Sequence, residues 1–125
     1  MKILIVEDDL ILQEALMKKL EKEEFEVLCA GTGKEGIIKA AKGKPDLILL
    51  DLMMPEMNGE TALRHLKELP VTKDIPVIIL SAVPRDVPIR LDNDGIFSKA
   101  SLYIEKDAAS LDQIVESIKS TIRSQ

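Results

Sequence analysis

Five short apolar runs punctuate this chain, near residues 2–7, 25–30, 46–51, 75–80 and 102–105, and amphipathic stretches of helical period separate them. Strand-length runs alternating with helical stretches from end to end are the signature of βα units wound around a parallel sheet. The first helical stretch, about 10–23, carries Leu12, Ala15, Leu16 and Leu20 on one stripe. The second, about 33–42, opens at Thr32 with Glu35 three positions on, a capping box, and stops at Gly43 before Pro45. A third, about 58–69, presents Ala62, Leu63, Leu66 and Leu69 and ends before Pro70. In the last, Leu111, Ile114, Val115, Ile118 and Ile122 recur at helical spacing behind Ser110, whose Gln113 completes a second capping signature.

The stretch between Ser81 and Lys106 departs from this regularity. A fourth helix is due there, but Pro84 and Pro88 stand four apart, and a proline inside a helix removes a hydrogen bond and clashes with the preceding turn. No regular helix is expected before about residue 88, and Asp92-Asn93-Asp94-Gly95 reads as a turn. The sequence shows no internal repeat, low-complexity segment or linker.

At 125 residues with 46% hydrophobic content, residues 1–125 suit one domain with a core of its own. The 17 basic and 22 acidic residues leave a net charge of −5, with no dense basic run on one face. Direct nucleic-acid binding is therefore not expected, since phosphate neutralisation needs clustered positive charge. No apolar stretch approaches the length of a membrane span, and the start of the chain is too short of apolar residues for a signal peptide. A single cysteine, Cys29, forbids an internal disulfide and makes a reducing cytoplasm the simplest home. Cys29 itself falls in a strand, as a small core residue.

Chemistry concentrates at the strand ends. Asp51 closes the third run, Glu7-Asp8-Asp9 follows the first, Ser81 follows the fourth and Lys106 follows the fifth. In open α/β folds the carboxyl edge of the sheet is where ligands bind. With the flavodoxin-like strand order 2-1-3-4-5, a doubly wound five-stranded parallel sheet with helices on both faces, Glu7, Asp8 and Asp51 meet in one acidic pocket. Close carboxylates repel unless a cation or Lys106 neutralises them, and magnesium suits such a site because it takes oxygen ligands and keeps several waters. Asp51 beside such a cation could act as a nucleophile toward phosphorus, with Lys106 balancing phosphoryl charge and the Ser81 hydroxyl donating to a phosphoryl oxygen. Asp9 alone reads as a helix N-cap.

These pieces resemble a two-component response regulator receiver domain of the single-domain, chemotaxis-regulator-like kind over essentially the full length. The matching segments are Ile3-Leu4-Ile5-Val6-Glu7-Asp8-Asp9, Asp46 to Gly59, Ile75-Pro76-Val77-Ile78-Ile79-Leu80-Ser81-Ala82 and Tyr103-Ile104-Glu105-Lys106. The resemblance implies that Asp51 accepts phosphate from the phosphohistidine of a sensor histidine kinase or phosphotransfer protein. It implies that Asp8, Asp51 and the Met53 backbone carbonyl coordinate Mg2+ with help from Glu7. Ser81 and Tyr103 match the switch hydroxyl and switch aromatic, and Lys106 the phosphorylation-site lysine. The resemblance further implies a phosphoacceptor that assists its own phosphorylation and dephosphorylation, not an enzyme, which switches a surface for a downstream protein without membrane insertion.

Three features depart from that family. Asp107 follows Lys106 where the family usually has proline and a cis bond, which costs about 2.5–4 kcal/mol without proline. Prolines interrupt the fourth-helix stretch, where the family usually has an Ala-rich helix contributing to its output face. Two positions that tune hydrolysis in the family carry apolar Met53 and Val83, which points to a long-lived phosphoryl group.

Other readings explain less. An aspartyl-phosphate phosphatase would want a second acid two residues after Asp51 and a cap domain, and a binding module that had lost the switch would have no use for the complete acidic pocket. Gly31-Thr32-Gly33-Lys34-Glu35-Gly36 fits GxGxxG, but a dinucleotide site leaves Glu7, Asp8, Ser81 and Lys106 without a role. The turn at 92–95 places Arg90 at the first ligand position of an EF-hand loop, which excludes it, and His65 has no second ligand at metal spacing. The chain ends just after the last helix, so no output domain is expected within it; a stand-alone regulator, a relay receiver and a fragment of a longer protein all fit.

Overall fold

The structure is a computed structural model that describes residues 1–53, 57–82 and 95–124. Strands β1 (Lys2–Val6), β2 (Glu26–Ala30), β3 (Leu47–Asp51), β4 (Val77–Ser81) and β5 (Leu102–Glu105) form one parallel sheet in the order β2-β1-β3-β4-β5. The helices are α1 (Leu10–Lys22), α2 (Gly33–Gly43), α3 (Gly59–Glu68) and α4 (Leu111–Arg123), with a 3-10 turn at Ile96–Lys99. The expected flavodoxin-like order and helices on both faces are both present. The prolines at 84 and 88, most of the turn at 92–95 and Val83 lie outside the described residues. Of that turn Gly95 is described, with φ +71°, a left-handed conformation that glycine adopts without cost.

Strand alternation divides the core in two. Leu4, Val6, Ile48, Leu50, Val77 and Ile79 face α2 and α3, where Ala40, Ala62, Leu63 and Leu66 meet them. Ile3, Ile5, Leu47, Leu49, Ile78, Leu80 and Ile104 face the other way onto Leu16 and Leu20 of α1 and Ile114, Val115 and Ile118 of α4. Because both faces are covered, the central strands are apolar apart from Lys2 at the start of β1 and Asp51 and Ser81 at the ends of β3 and β4, which is why they read as continuous runs. Cys29 is half-buried against the α1/α4 layer, its Sγ 3.9 Å from Met17 Sδ.

Element ends follow local chemistry. Asp9 caps α1 by accepting from the N–H groups of Ile11 (3.0 Å) and Leu12 (3.2 Å). Asn58 caps α3 through Thr61 N–H at 2.9 Å, and Ser110 with Gln113 forms a complete capping box on α4. The box expected at Thr32 is half made: Thr32 Oγ1 accepts from Glu35 N–H, but Lys39 draws the Glu35 carboxylate to 2.9 Å and its other oxygen lies 3.4 Å from Gly31 N. At the end of α2 the left-handed residue is Lys44 (φ 47°), while Gly43 serves a close approach, since a Cβ there would lie 2.6 Å from Leu28 Cδ1. Strand β4 begins at Val77 rather than 75. Ile75 instead gives its carbonyl to Lys67 Nζ at 2.8 Å, and Pro76 has no N–H for the ladder.

Replacing a fully buried strand residue leaves a cavity between sheet and helix. Ile5→Ala is expected to cost about 2–5 kcal/mol in urea denaturation. Ile11→Ala, at a side chain 84% exposed on α1, should fall within about 0.5 kcal/mol of the unmutated protein.

Candidate phosphoacceptor and metal site

The strand order dictates where charge can sit. Strands β1 and β3 are neighbours, with Val6 opposite Leu50, so the residues that follow them emerge side by side at the carboxyl edge. Backbone bonds extend the ladder one step past each strand and fix those residues. Glu7 N–H donates to Ala30 O at 2.9 Å, Leu52 N–H to Leu80 O at 3.1 Å and Lys106 N–H to Ser81 O at 2.7 Å. Glu7, Asp51 and Ser81 are consequently 1%, 2% and 0% exposed, while Asp8 stands in the open just beyond.

One carboxylate oxygen from each of Glu7, Asp8 and Asp51 lies within 4.8 Å of the others. Lys106 enters from the far side, its Nζ 2.8 Å from Glu7 Oε1 and 3.3 Å from Asp51 Oδ2. Asp51 Oδ1 accepts from Met53 N–H at 3.3 Å, and Glu7 Oε2 from Asp9 N–H at 3.1 Å. Glu7 Oε1 is buried and rests against the Lys106 ammonium.

Among the described residues, three acids against one ammonium leave the pocket short of positive charge. Burial first, then the adjacent Glu7 carboxylate, push the Asp51 pKa up to about 7, against the opposing pull of Lys106 and the Met53 N–H. Burial works against the Lys106 ammonium, yet Glu7 and Asp51 override it and raise its pKa above the ordinary lysine value. The set of hard oxygen donors fits a small divalent cation such as Mg2+, which would supply the missing charge.

The expected switch residues lie alongside. Ser81 ends β4, and Tyr103, two residues earlier in register opposite Ile79, is half-buried against the α2/α3 layer. Its ring meets Phe97 edge-on, with centroids 6.5 Å apart and planes at 84°. The Lys106–Asp107 peptide is trans. Met53 is 56% exposed beside Asp51, and residues 54–56 lie outside the described set.

Two contributors were not anticipated from sequence. Gly59 N–H donates to Leu52 O at 2.7 Å, and a Cβ on Gly59 would fall 2.6 Å from the Asp51 carbonyl oxygen and 2.5 Å from Leu52 Cα. The amino end of α3 thus abuts the backbone of the acidic strand end. Gln13 of α1 donates from Nε2 to Glu7 O at 3.0 Å. Only the helical offset of a polar side chain six residues past Glu7 hints at that contact. Two glycines of the GxGxxG stretch serve packing: a Cβ on Gly36 would lie 2.7 Å from Val6 Cγ2, and one on Gly33 3.1 Å from Met57 Sδ, whereas one on Gly31 would meet open space. His65 is exposed.

Residues 3–119 match the family profile described as the response regulator receiver domain. Response regulator PleD of Caulobacter vibrioides is 43% identical over 82 residues, 66% of this chain and 18% of PleD. The transcriptional regulatory protein YcbL of Bacillus subtilis is 36% identical over 120 residues, 96% of this chain and 50% of YcbL. The chain therefore spans half or less of these relatives. Among solved structures, the CheY-like receiver domain protein of Methanospirillum hungatei superposes with a TM-score of 0.83 at 27% identity, covering 98% of this chain and 94% of that one. The response regulator TrrA of Thermotoga maritima, in complex with Mg2+-BeF, gives 0.78 at 27% identity, covering 96% and 97%. The chain belongs to the response regulator receiver domain family of two-component signalling.

An acid whose pKa is raised by folding stabilises the fold below its unfolded value, and that contribution is lost as pH climbs through the folded value. Without metal, the Asp51 contribution should therefore disappear between about 3.8 and about 7. Asp51→Asn removes this loss: urea denaturation in chelator should show little difference at pH 4 and a gain in the low part of about 1–4 kcal/mol at pH 8. Magnesium affinity, measured by calorimetry on the unmutated protein, should weaken as pH falls below about 7, because the ion must displace the Asp51 proton.

Proposed function

We propose that Asp51 is the phosphoryl acceptor of a phosphorelay, with a sensor histidine kinase or phosphotransfer protein as donor. The observation that carries this reading is the buried Glu7–Asp51 pair with Lys106 in contact with both carboxylates. An Asp51 carboxylate oxygen attacks phosphorus, a P–O bond forms, and the P–N bond of the phosphohistidine breaks, its electron pair and a proton going to the imidazole nitrogen. Glu7, Asp8 and Asp51, with the Met53 backbone carbonyl, would hold Mg2+, which when bound neutralises charge on the transferring phosphoryl oxygens. Lys106 supplies a second positive charge, and the hydroxyl of Ser81, at the end of β4, would donate to a phosphoryl oxygen.

Phosphorylation adds charge at the edge of β3 and draws Ser81 and Lys106 toward it, with Tyr103 following, which shifts a two-state equilibrium at the surface of β5 and α4. The protein acts as a switch for a downstream protein and not as an enzyme turning over a separate ester: Met53 occupies the place where a phosphatase of this type would carry its general acid. The net charge of −5 argues against direct nucleic-acid contact by residues 1–125, which we read as one domain. No helix among the described residues is long and apolar enough to cross a membrane, and the single cysteine suits a cytoplasmic setting.

Intact mass after incubation with acetyl phosphate and Mg2+ tests the acceptor. One added phosphate in the unmutated protein and none in Asp51→Asn supports the reading; equal gain in both rejects it. Because the exposed thioether of Met53 cannot orient a water by hydrogen bonding, the phosphorylated form should hydrolyse slowly, and Met53→Asn should shorten its lifetime. A short lifetime that Met53→Asn leaves unchanged contradicts this.

A further inference from the structure

We propose that Gln13 is a positioning residue for the acidic pocket, fixing from α1 the peptide that joins Glu7 to Asp8 and thereby the Asp8 carboxylate. The proposal rests on the magnesium site described above and adds to it a residue outside the ligand set.

Asp8 is the exposed member of the acid triad and lies past the end of the sheet ladder. The last ladder bond on this side is Glu7 N–H to Ala30 O. The Glu7 carbonyl belongs to the next peptide and accepts from Gln13 Nε2 at 3.0 Å; the same amide group lies 3.4 Å from Ala30 O. One side chain thus ties the ends of β1 and β2 to α1. The peptide unit is planar, so holding its oxygen restricts Glu7 ψ and Asp8 φ together and sets where the Asp8 Cβ points. Asp9 completes the frame from the other side, since its N–H donates to Glu7 Oε2 and its backbone oxygen accepts from Gln13 N–H at 2.9 Å.

The chemistry of the residue fits the task. A neutral amide donates to carbonyls without adding charge, whereas a glutamate would repel the carbonyls it faces. Magnesium demands near-ideal octahedral geometry, so its affinity depends steeply on ligand placement. Groups that hold ligands in place are worth tenfold to hundredfold in metal affinity.

Gln13→Met keeps length and bulk and removes the donor. Magnesium titration by calorimetry should give a Kd at least about tenfold higher than in the unmutated protein. In the metal-free state, the Asp8 and Asp9 amide resonances should shift and their order parameters fall, with Leu4 and Ile48 unchanged. Thr72→Val, which removes the buried 2.6 Å bond from Thr72 Oγ1 to Leu66 O, serves as the stability control: it should lower Tm and leave Kd alone. A Gln13→Met protein that binds Mg2+ as the unmutated one does, or that loses no more affinity than Thr72→Val, overturns the proposal. If the unmutated protein itself binds no Mg2+, the metal-site reading fails, and the metal-free spectra then decide: unmoved Asp8 and Asp9 signals overturn the positioning role, and moved ones sustain it.

Discussion

An unbalanced charge, closed off from water at the end of a parallel sheet, governs this protein. Glu7 and Asp51 are almost wholly buried, and among the described residues one ammonium, Lys106, lies against both. Carboxylates brought this close out of water are stable only with a proton, a cation or a covalent change that spreads the charge. In the metal-free protein burial and the Glu7 carboxylate favour the first course, pushing the Asp51 pKa up to about 7. The second and third are what a magnesium-dependent phosphoacceptor uses, so the same electrostatic deficit accounts for the resting state and for the chemistry proposed for it.

The architecture leaves few other places for such a deficit. Both faces of the sheet are sealed, by α2 and α3 on one side and α1 and α4 on the other, and the strand interiors carry apolar side chains throughout. Polar groups can gather where the strands run out. Glycine permits the crowding there: the bare Cα of Gly59 lets the start of α3 press onto the Asp51 and Leu52 backbone, and that of Gly36 lets α2 approach Val6.

Much of this was legible in the residues because burial on both faces writes strands as unbroken apolar runs, and because the topology rules for parallel sheets place the ends of the first and third strands together. The Asp9 and Ser110 caps were equally plain, since capping depends on neighbours within one turn. What depended on long-range or competing contacts was not. Glu35 looked like the second half of a capping box, but Lys39, one turn further on, competes for its carboxylate. Ile75 read as strand, yet its carbonyl belongs to Lys67. Gln13 carries no more than its helical offset from Glu7 to mark it until the fold sets it beside the Glu7 carbonyl. The comparison with receiver domains fixes the family, while the roles proposed for Asp51 and Lys106 rest on the contact between their side chains, and those proposed for Ser81 and Tyr103 on their places on β4 and β5.

Lys106 belongs to two systems at once. Its ammonium sits among the acids, and its own N–H is bonded to the Ser81 carbonyl at 2.7 Å, three residues along the chain from Tyr103. A tether anchored at both ends cannot be pulled at one without loading the other. In the proposed switch, an event that changes how strongly the pocket attracts that ammonium would put tension on β5, making the strand that carries the aromatic ring the lever arm by which a local change of charge does work on the molecular surface.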